Sequence, residues 1–206
     1  MSLRYLTAGE SHGPALTAIL EGMPAGLPLN EDILVADLAR RQTGTGTGER
    51  MAIEKDRAQI LAGVMEGVTT GAPITLQLIN RDHDNWKGKA VTAYTTPRPG
   101  HADLAAAVKY GYSDVRPSLE RASARETAAR VAIGAVCRTF LNSFGISIGG
   151  YVSSIDRHAA SLEGLSFAER IRRARSSDVQ CPDPEVASCI TKAIGQAHDA
   201  GETLGG

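Results

Sequence analysis

Aromatic side chains, cysteines and long apolar runs are all scarce in this chain. Aromatic residues make up 4% of the 206 positions, so the hydrophobic core must be aliphatic and rich in alanine. The three cysteines are odd in number and lack a CxxC spacing, which argues against a disulfide framework and a structural zinc site. No apolar run approaches the roughly 18 residues of a membrane span, and the opening MSLRYLTAGESHG lacks the apolar segment of a signal peptide. We therefore expect a cytoplasmic protein with no metal site and no membrane partner.

An excess of either charge is also missing. Lys and Arg number 22 and Asp and Glu 23, which gives a formal net charge of −1. Such a chain lacks the basic field that sequence-independent nucleic-acid binding needs, so we expect no nucleic-acid partner. Any anionic small molecule must instead be held by individually placed cations.

The order of the predicted elements indicates a mixed α/β or α+β fold. Ser123-x-x-Glu126 and Ser166-x-x-Glu169 each predict a capping box at the start of a helix. A polar loop is expected over 81–100, and a glycine-rich loop (TGTGTG) over 43–48. Strands are predicted over 15–21, 59–66, 74–80 and 146–155, and helices over 31–41, 102–110, 123–145, from 166, and from 184 to about 200.

Two of the five histidines lie in loops framed by glycine and proline. His12 stands in GESHGP beside a hydroxyl and a carboxylate, and His101 stands in PRPGHAD between an arginine and an aspartate. An imidazole titrates near neutral pH, so either ring could transfer a proton; the alternative is a histidine that only satisfies hydrogen bonds. The remaining histidines lack such a frame and are expected to be structural (His83, His158 and His198).

Several arginines border loops or helix ends, where guanidinium groups commonly pair with carboxylate or phosphate. The stretch Arg121-Ala122-Ser123 precedes the clearest predicted helix. Free backbone N–H groups, a hydroxyl and guanidiniums there would form an oxyanion site; the alternative is a helix cap with solvated arginines. The TGTGTG loop matches neither nucleotide-binding glycine motif. The bordering arginines are Arg40, Arg41, Arg50, Arg98, Arg121 and Arg125.

Four long segments, taken together and in order, resemble the chorismate synthase family. They are GESHGPALTAILEGMPAGLPL (9–29), the RRQ…G…RM segment (40–51), RPGHADL (98–104) and ERASARETAARVAIGAV (120–136). Chains of this family continue beyond the terminus found here. We therefore expect residues 1–206 to be the N-terminal portion of a single chorismate synthase domain, with no separate second domain.

The resemblance implies both a fold and a function. The fold is α+β: a βαβ sandwich with helices packed between antiparallel sheets, here C-terminally incomplete, in a chain that forms a homotetramer. The function is that of a lyase of the shikimate pathway. It converts 5-enolpyruvylshikimate 3-phosphate to chorismate and phosphate by an anti-1,4 elimination that requires reduced FMN without net redox change. NADPH is a candidate reductant, and a separate flavin reductase is a candidate partner.

The resemblance also assigns roles to individual residues. His12 corresponds to the histidine that protonates the departing phosphate, and His101 to the one placed near the reduced flavin. The substrate-binding residues are Ser11, Arg41, Arg50, Arg98 and Arg125; the flavin-binding residues are Arg121, Ala122 and Ser123, with Arg41 and Thr47.

Two departures from the family keep rival functions open. Thr45 and Thr47 stand where the family's glycine loop usually has Tyr and Arg, and Ala122 replaces a usual Ser. Losing one charge-assisted contact costs ~1.5–3 kcal/mol, or roughly ten- to hundredfold in affinity. The C-terminal part expected to be missing supplies further flavin contacts and an acidic residue in the family. One rival is a non-catalytic anion-binding or assembly fragment; another is a histidine-dependent phosphohydrolase, although no metal cluster or nucleophile accompanies its histidines.

Overall fold

The computed structural model describes residues 2–44 and 53–206, which fall into two compact units. The first unit contains 2–41 and 53–145, and the second contains 42–44 and 146–206. Every described candidate site residue lies in the first unit. That both units belong to one domain stays a prediction. Within the described ranges, no helix is both long enough and apolar enough to cross a membrane.

The described residues of the first unit form six strands: β1 (Arg4–Ala8), β2 (Ala15–Glu21), β3 (Ala58–Ala62), β4 (Val64–Met65), β5 (Val68–Thr69) and β6 (Ile74–Ile79). Four of these strands form an antiparallel sheet in the order β1-β2-β6-β3, and β4 and β5 form a small hairpin. The helices are α1 (Glu31–Gln42, whose last residue falls in the second unit), α2 (His83–Trp86), α3 (Asp103–Tyr110), α4 (Arg116–Arg121) and α5 (Thr127–Asn142), with a 3₁₀ turn at Ala124–Glu126.

The core lies between one face of this sheet and helices α1 and α5. The alternation in ITLQLIN is confirmed, since β6 buries every second side chain and exposes the others more. Small alanines on α5 allow the helix to approach the sheet closely, as expected for a core with few aromatics. The buried set includes Leu16, Ala18 and Leu20 of β2, Ile74, Leu76 and Leu78 of β6, Leu34 and Leu38 of α1, and Ala128, Ala132 and Val136 of α5.

The loop between β1 and β2 carries His12, and two features hold it. Gly9 has φ +110°, and a Cβ at this position would overlap the carbonyl oxygen of Ala15, so glycine is required. Asn80, buried at the end of β6, donates from Nδ2 to two carbonyl oxygens of loop 10–14 at 3.1 and 2.8 Å. The sheet therefore fixes both ends of the His12 loop.

The second unit consists of a short hairpin and two helices around its own small core. The elements are β7 (Ser154–Ile155), β8 (His158–Ala159), α6 (Phe167–Arg175) and α7 (Pro184–Ala200). The capping box at the start of α6 is confirmed: the Ser166 hydroxyl accepts from the Glu169 N–H while the Glu169 carboxylate accepts from the Ser166 N–H. The core side chains are Val179, Cys181 and Ile190.

Other local predictions are wrong. The strand predicted over 146–155 is present only as β7, because an extended segment needs a partner strand and, within the described ranges, this segment pairs with β8 alone. The predicted strand 59–66 is divided into β3 and β4 at Gly63, which has φ +84°. Strands β1 and β5 are not among the predicted elements.

The capping box predicted at Ser123 is also wrong. The Ser123 hydroxyl accepts from the N–H of Arg125 at 3.2 Å and opens a 3₁₀ turn, so that α5 begins only at Thr127. The Glu126 carboxylate does not fold back on Ser123. It accepts hydrogen bonds from Thr7 of β1 at 2.6 Å and from Arg130 at 2.7 Å. One partner from β1 and one from the next turn of the helix therefore take the place of the local cap.

Candidate functional site

His12 is held by a carboxylate from helix α4. The ring nitrogen Nδ1 lies 2.9 and 3.0 Å from the two carboxylate oxygens of Glu120, and the His12 backbone N–H donates to the same group at 2.8 Å. The Glu120 carbonyl oxygen accepts from the N–H of Ser11 at 3.1 Å. Glu120 thus fixes both the backbone and the ring of the histidine singled out in the sequence. Ser11 itself is buried.

An indole and a guanidinium lie close to the pair formed by His12 and Glu120. The Trp86 ring centre lies 4.3 Å from that of His12 at an interplanar angle of 53°. Arg116 lies 3.3 Å from Glu120 and 5.5 Å from the centre of the Trp86 ring. These four side chains line a cavity of about 460 Å³, which we call the His12 cavity. The cavity presents an imidazole and a guanidinium together with three carboxylates, those of Glu10, Asp114 and Glu120.

His101 lies in a second local arrangement. Arg98 donates from Nε and Nη2 to the two oxygens of Asp103, at 2.8 and 3.0 Å, and its Nη2 lies 3.2 Å from Nδ1 of His101. The Asp103 carboxylate is fully buried, and hydrogen bonding from Arg98 lowers its pKa from 3.8 to about 2. His101 is exposed. The flanking Arg and Asp noted in the sequence therefore pair with each other and position the ring.

Arg125 is buried within a network of polar side chains. Its guanidinium forms an ion pair with Asp56, lies 3.5 Å from Glu54, and donates from Nε to Asn80 at 2.7 Å. Its Nη2 is the one buried side-chain nitrogen or oxygen without a hydrogen-bond partner among the residues described here. Through Asn80 the network reaches the His12 loop. Arg125 therefore stabilises the His12 loop through Asn80, and its predicted contact with substrate stays a prediction.

Arg41 joins the same network from the end of α1. Its Nη1 lies 3.3 Å from Asp56, its Nε donates to Thr127 at 2.9 Å, and its Nη2 donates to the carbonyl oxygen of Ala124 at 3.0 Å. Burial lowers the pKa of Arg41, although the Asp56 carboxylate opposes that shift. The guanidinium thus ties α1 to the start of α5.

The stretch Arg121-Ala122-Ser123 lines a second cavity, of about 590 Å³, which we call the Arg121 cavity. Arg121 donates from Nη2 to the carbonyl and hydroxyl oxygens of Thr7, both at 2.8 Å. Two tyrosines and a further arginine complete the part of the wall used below: Tyr110, Tyr112 and Arg130. Phenol rings and guanidiniums face this space together.

Residues of helix α4 line both cavities, and Pro117 is shared by the two. His101 lines neither, but its neighbour Ala102 lines the Arg121 cavity. The convergence of His12 and His101 on one pocket therefore stays a prediction. Arg50, Thr45 and Thr47 lie outside the described residues.

Sequence reasoning missed several residues of these arrangements, among them Glu120, Trp86, Arg116 and Asn80. Glu120 lies inside one of the quoted segments but was not singled out, and Trp86 is the chain's only tryptophan. A lone large aromatic in a chain poor in aromatics was a usable signal. Arg116 has a local signal in its i,i+4 spacing from Glu120, whereas Asn80 has none, because its side-chain contacts are with distant parts of the chain.

No group of three or more His, Cys, Asp or Glu side chains in the described residues is arranged to hold a metal ion.

Comparisons with a family model, with curated proteins and with solved structures all match this chain to chorismate synthases. Residues 3–206 match the chorismate synthase family. The chain is 51% identical to the chorismate synthase of Desulforamulus reducens over 214 residues, covering 99% of this chain and 55% of that protein. It is 50% identical to the chorismate synthase of Aquifex aeolicus over 221 residues, covering 99% of this chain and 56% of that protein. A crystal structure of chorismate synthase superposes with a TM-score of 0.81 at 42% identity, over 100% of this chain and 56% of the other. The chain thus spans a little over half the length of these relatives, and the α+β fold with antiparallel sheets is confirmed.

Proposed function

Because the chain belongs to the chorismate synthase family, we propose that the protein carrying it is a lyase of aromatic amino-acid biosynthesis. It converts 5-enolpyruvylshikimate 3-phosphate to chorismate and phosphate in the shikimate pathway. In this anti-1,4 elimination the C–O bond to phosphate breaks, a proton leaves carbon, and a new C=C bond forms.

The observation that supports the proposal best is the arrangement of the two cavities around helix α4. Their walls carry His12 from the loop between β1 and β2, and Arg116 and Arg121 from the two ends of α4. A substrate with two carboxylates and a phosphate needs placed guanidiniums in a chain with no net positive charge. Departure of phosphate needs an acid that titrates near neutral pH.

Individual residues of the chain then have separate roles in the reaction. His12 protonates the departing phosphate, and Arg116 offers a guanidinium in the same cavity. Arg98, held by Asp103, places His101 at the surface. Preorganised cations of this kind stabilise charge that develops during the elimination without reorganising at that moment.

Reduced FMN is the proposed cofactor, and the Arg121 cavity has the composition to receive it. About 590 Å³ lies within the range of cofactor sites. Tyr110 and Tyr112 offer ring surfaces, and Arg121 and Arg130 offer guanidiniums to a phosphate. When bound, reduced FMN supplies an electron-rich ring system to a reaction without net redox change. NADPH as reductant, assembly as a homotetramer and a cytoplasmic location are parts of the same proposal.

The decisive experiment measures phosphate release by the full-length gene product. The protein is incubated without oxygen with reduced FMN and 5-enolpyruvylshikimate 3-phosphate, and chorismate is followed by absorbance. We expect equal amounts of phosphate and chorismate, and a His12→Gln variant that binds flavin but loses at least about 100-fold in turnover. Flavin binding without phosphate release in the wild-type protein would favour a non-catalytic anion-binding module instead.

A further inference from the structure

Glu120 makes more contacts with the His12 segment than a carboxylate needs for a cap or a surface ion pair. Both of its oxygens approach Nδ1 of His12, one of them also accepts the His12 backbone N–H, and its carbonyl oxygen accepts from Ser11. Its side chain is 10% exposed and that of His12 is 21% exposed. The contact therefore joins α4 to the His12 loop at the wall of the cavity.

An ionised carboxylate can only accept hydrogen bonds, so Nδ1 of His12 must carry the hydrogen in this contact. The transferable proton is then assigned to the other ring nitrogen, Nε2. We propose that Glu120 is a positioning residue that fixes the tautomer and orientation of His12, making Nε2 the atom that gives up the proton. The inference rests on the proposed function, since the proton's destination is the phosphate leaving the substrate.

Two further contacts limit what the ring can do. Trp86 packs against the His12 ring at 4.3 Å, which restricts rotation of the imidazole. Arg116 lies 3.3 Å from the Glu120 carboxylate and balances its charge. The order Arg116, Glu120, His12 resembles the general pattern in which a carboxylate orients a catalytic imidazole.

The tautomer can be measured directly. In protein labelled with ¹⁵N-histidine, the two ring nitrogens have distinct shifts at about pH 8.5, where a free imidazole is neutral. We expect the His12 signal, identified by its loss in His12→Gln, to show the hydrogen on Nδ1. His83 provides an internal reference, because its Nδ1 lies 2.8 Å from the carbonyl oxygen of His12, another group that only accepts.

Glu120→Gln separates positioning from support of the fold. The amide oxygen can keep the hydrogen bond from the His12 backbone, while the amide N–H₂ replaces the carboxylate oxygen that lies 2.9 Å from Nδ1. A hydrogen on Nδ1 then loses its nearer acceptor and faces a donor, which favours the other tautomer. We expect the His12 tautomer to move its hydrogen to Nε2 while the His83 signal is unchanged. Turnover should fall about 10- to 100-fold with KM changed less than about threefold. The matched control Glu163→Gln, at an exposed glutamate of the second unit, should leave the His12 tautomer, the turnover and KM unchanged.

The outcomes distinguish this inference from the proposed function. A wild-type His12 ring with its hydrogen on Nε2 overturns the inference, whether or not the variant folds. A Glu120→Gln protein with wild-type turnover overturns it as well. If wild-type protein releases no phosphate, the proposed function fails, and the tautomer measurement still decides whether Glu120 orients the ring.

Discussion

The Asp103→Asn variant tests how the His101 segment is held. In the wild-type chain the buried Asp103 carboxylate accepts from Nε and Nη2 of Arg98 and also from the Arg98 backbone N–H at 3.1 Å. Asparagine keeps the size of the side chain but replaces one acceptor oxygen with an N–H₂ group that faces a guanidinium donor. The substitution therefore removes the ionic contact without creating a cavity.

The magnitude follows from the lowered pKa. Hydrogen bonding from Arg98 lowers the Asp103 pKa from 3.8 to about 2, which sets a ceiling of about 2.5 kcal/mol on its contribution to the free energy of unfolding. The Arg98 side chain is 39% exposed, so solvent screening reduces the contribution to on the order of 1 kcal/mol. A carboxylate with a lowered folded-state pKa stabilises the fold fully above the unfolded value of 3.8. That stability is lost as the pH falls toward 2.

Urea unfolding of both proteins at several pH values measures this contribution. We expect Asp103→Asn to be less stable by about 1 kcal/mol between pH 7 and 5, and the two curves to converge as the pH falls from 4 toward 2. The control Asp199→Asn changes an exposed aspartate of α7 and should shift stability by less than about 0.5 kcal/mol at every pH. A difference that stays constant down to pH 2.5 would refute the reasoning.

Three other substitutions test the scaffold by urea unfolding. Arg125→Met should cost about 2–4 kcal/mol, because it removes the buried partner of Asp56; a loss below 1 kcal/mol would contradict this. Gly9→Ala should cost about 1–3 kcal/mol from backbone strain, and unchanged stability would mean that φ +110° is not required there. Ser166→Ala should lower the free energy of unfolding by about 1 kcal/mol, because it removes the side-chain cap at the start of α6. If a substitution at the start of a helix that has no side-chain cap lowered it equally, the loss would have a different cause.

The parts of the fold that were predictable from sequence are those governed by local patterns. Strand β2, the alternation in β6 and the cap of α6 follow from side-chain spacing alone, and all three are confirmed. The cap at Ser123 and the strand over 146–155 obey the same local rules and are wrong. Thr7, 119 residues away, and Arg130, one helical turn further on, bind the Glu126 carboxylate, and among the described residues only β8 pairs with the segment that begins at 146. A contact from a residue as distant as Thr7 leaves no local signal.

The site was predictable to a similar extent. His12 and His101 were selected by their glycine and proline surroundings, whereas what orients each ring was only partly visible. Asp103 stands two residues from His101, so its involvement was within reach of local reasoning. Glu120 is 108 residues from His12, and only the folded chain brings the two together.

Four arginines of the first unit form two pairs, which differ in the net charge that they present to a ligand. Arg41 and Arg125 share the carboxylates of Asp56 and Glu54, so two positive charges are balanced by two negative ones and little net field remains for a ligand. The guanidiniums that line the Arg121 cavity are paired less completely: Arg130 is 55% and Arg121 43% exposed, and both share the single carboxylate of Glu126. An anion entering the Arg121 cavity therefore meets one net positive charge from these three groups. Replacing Arg125 should accordingly lower mainly the free energy of unfolding, whereas replacing Arg121 should lower mainly the affinity for a phosphate-bearing ligand.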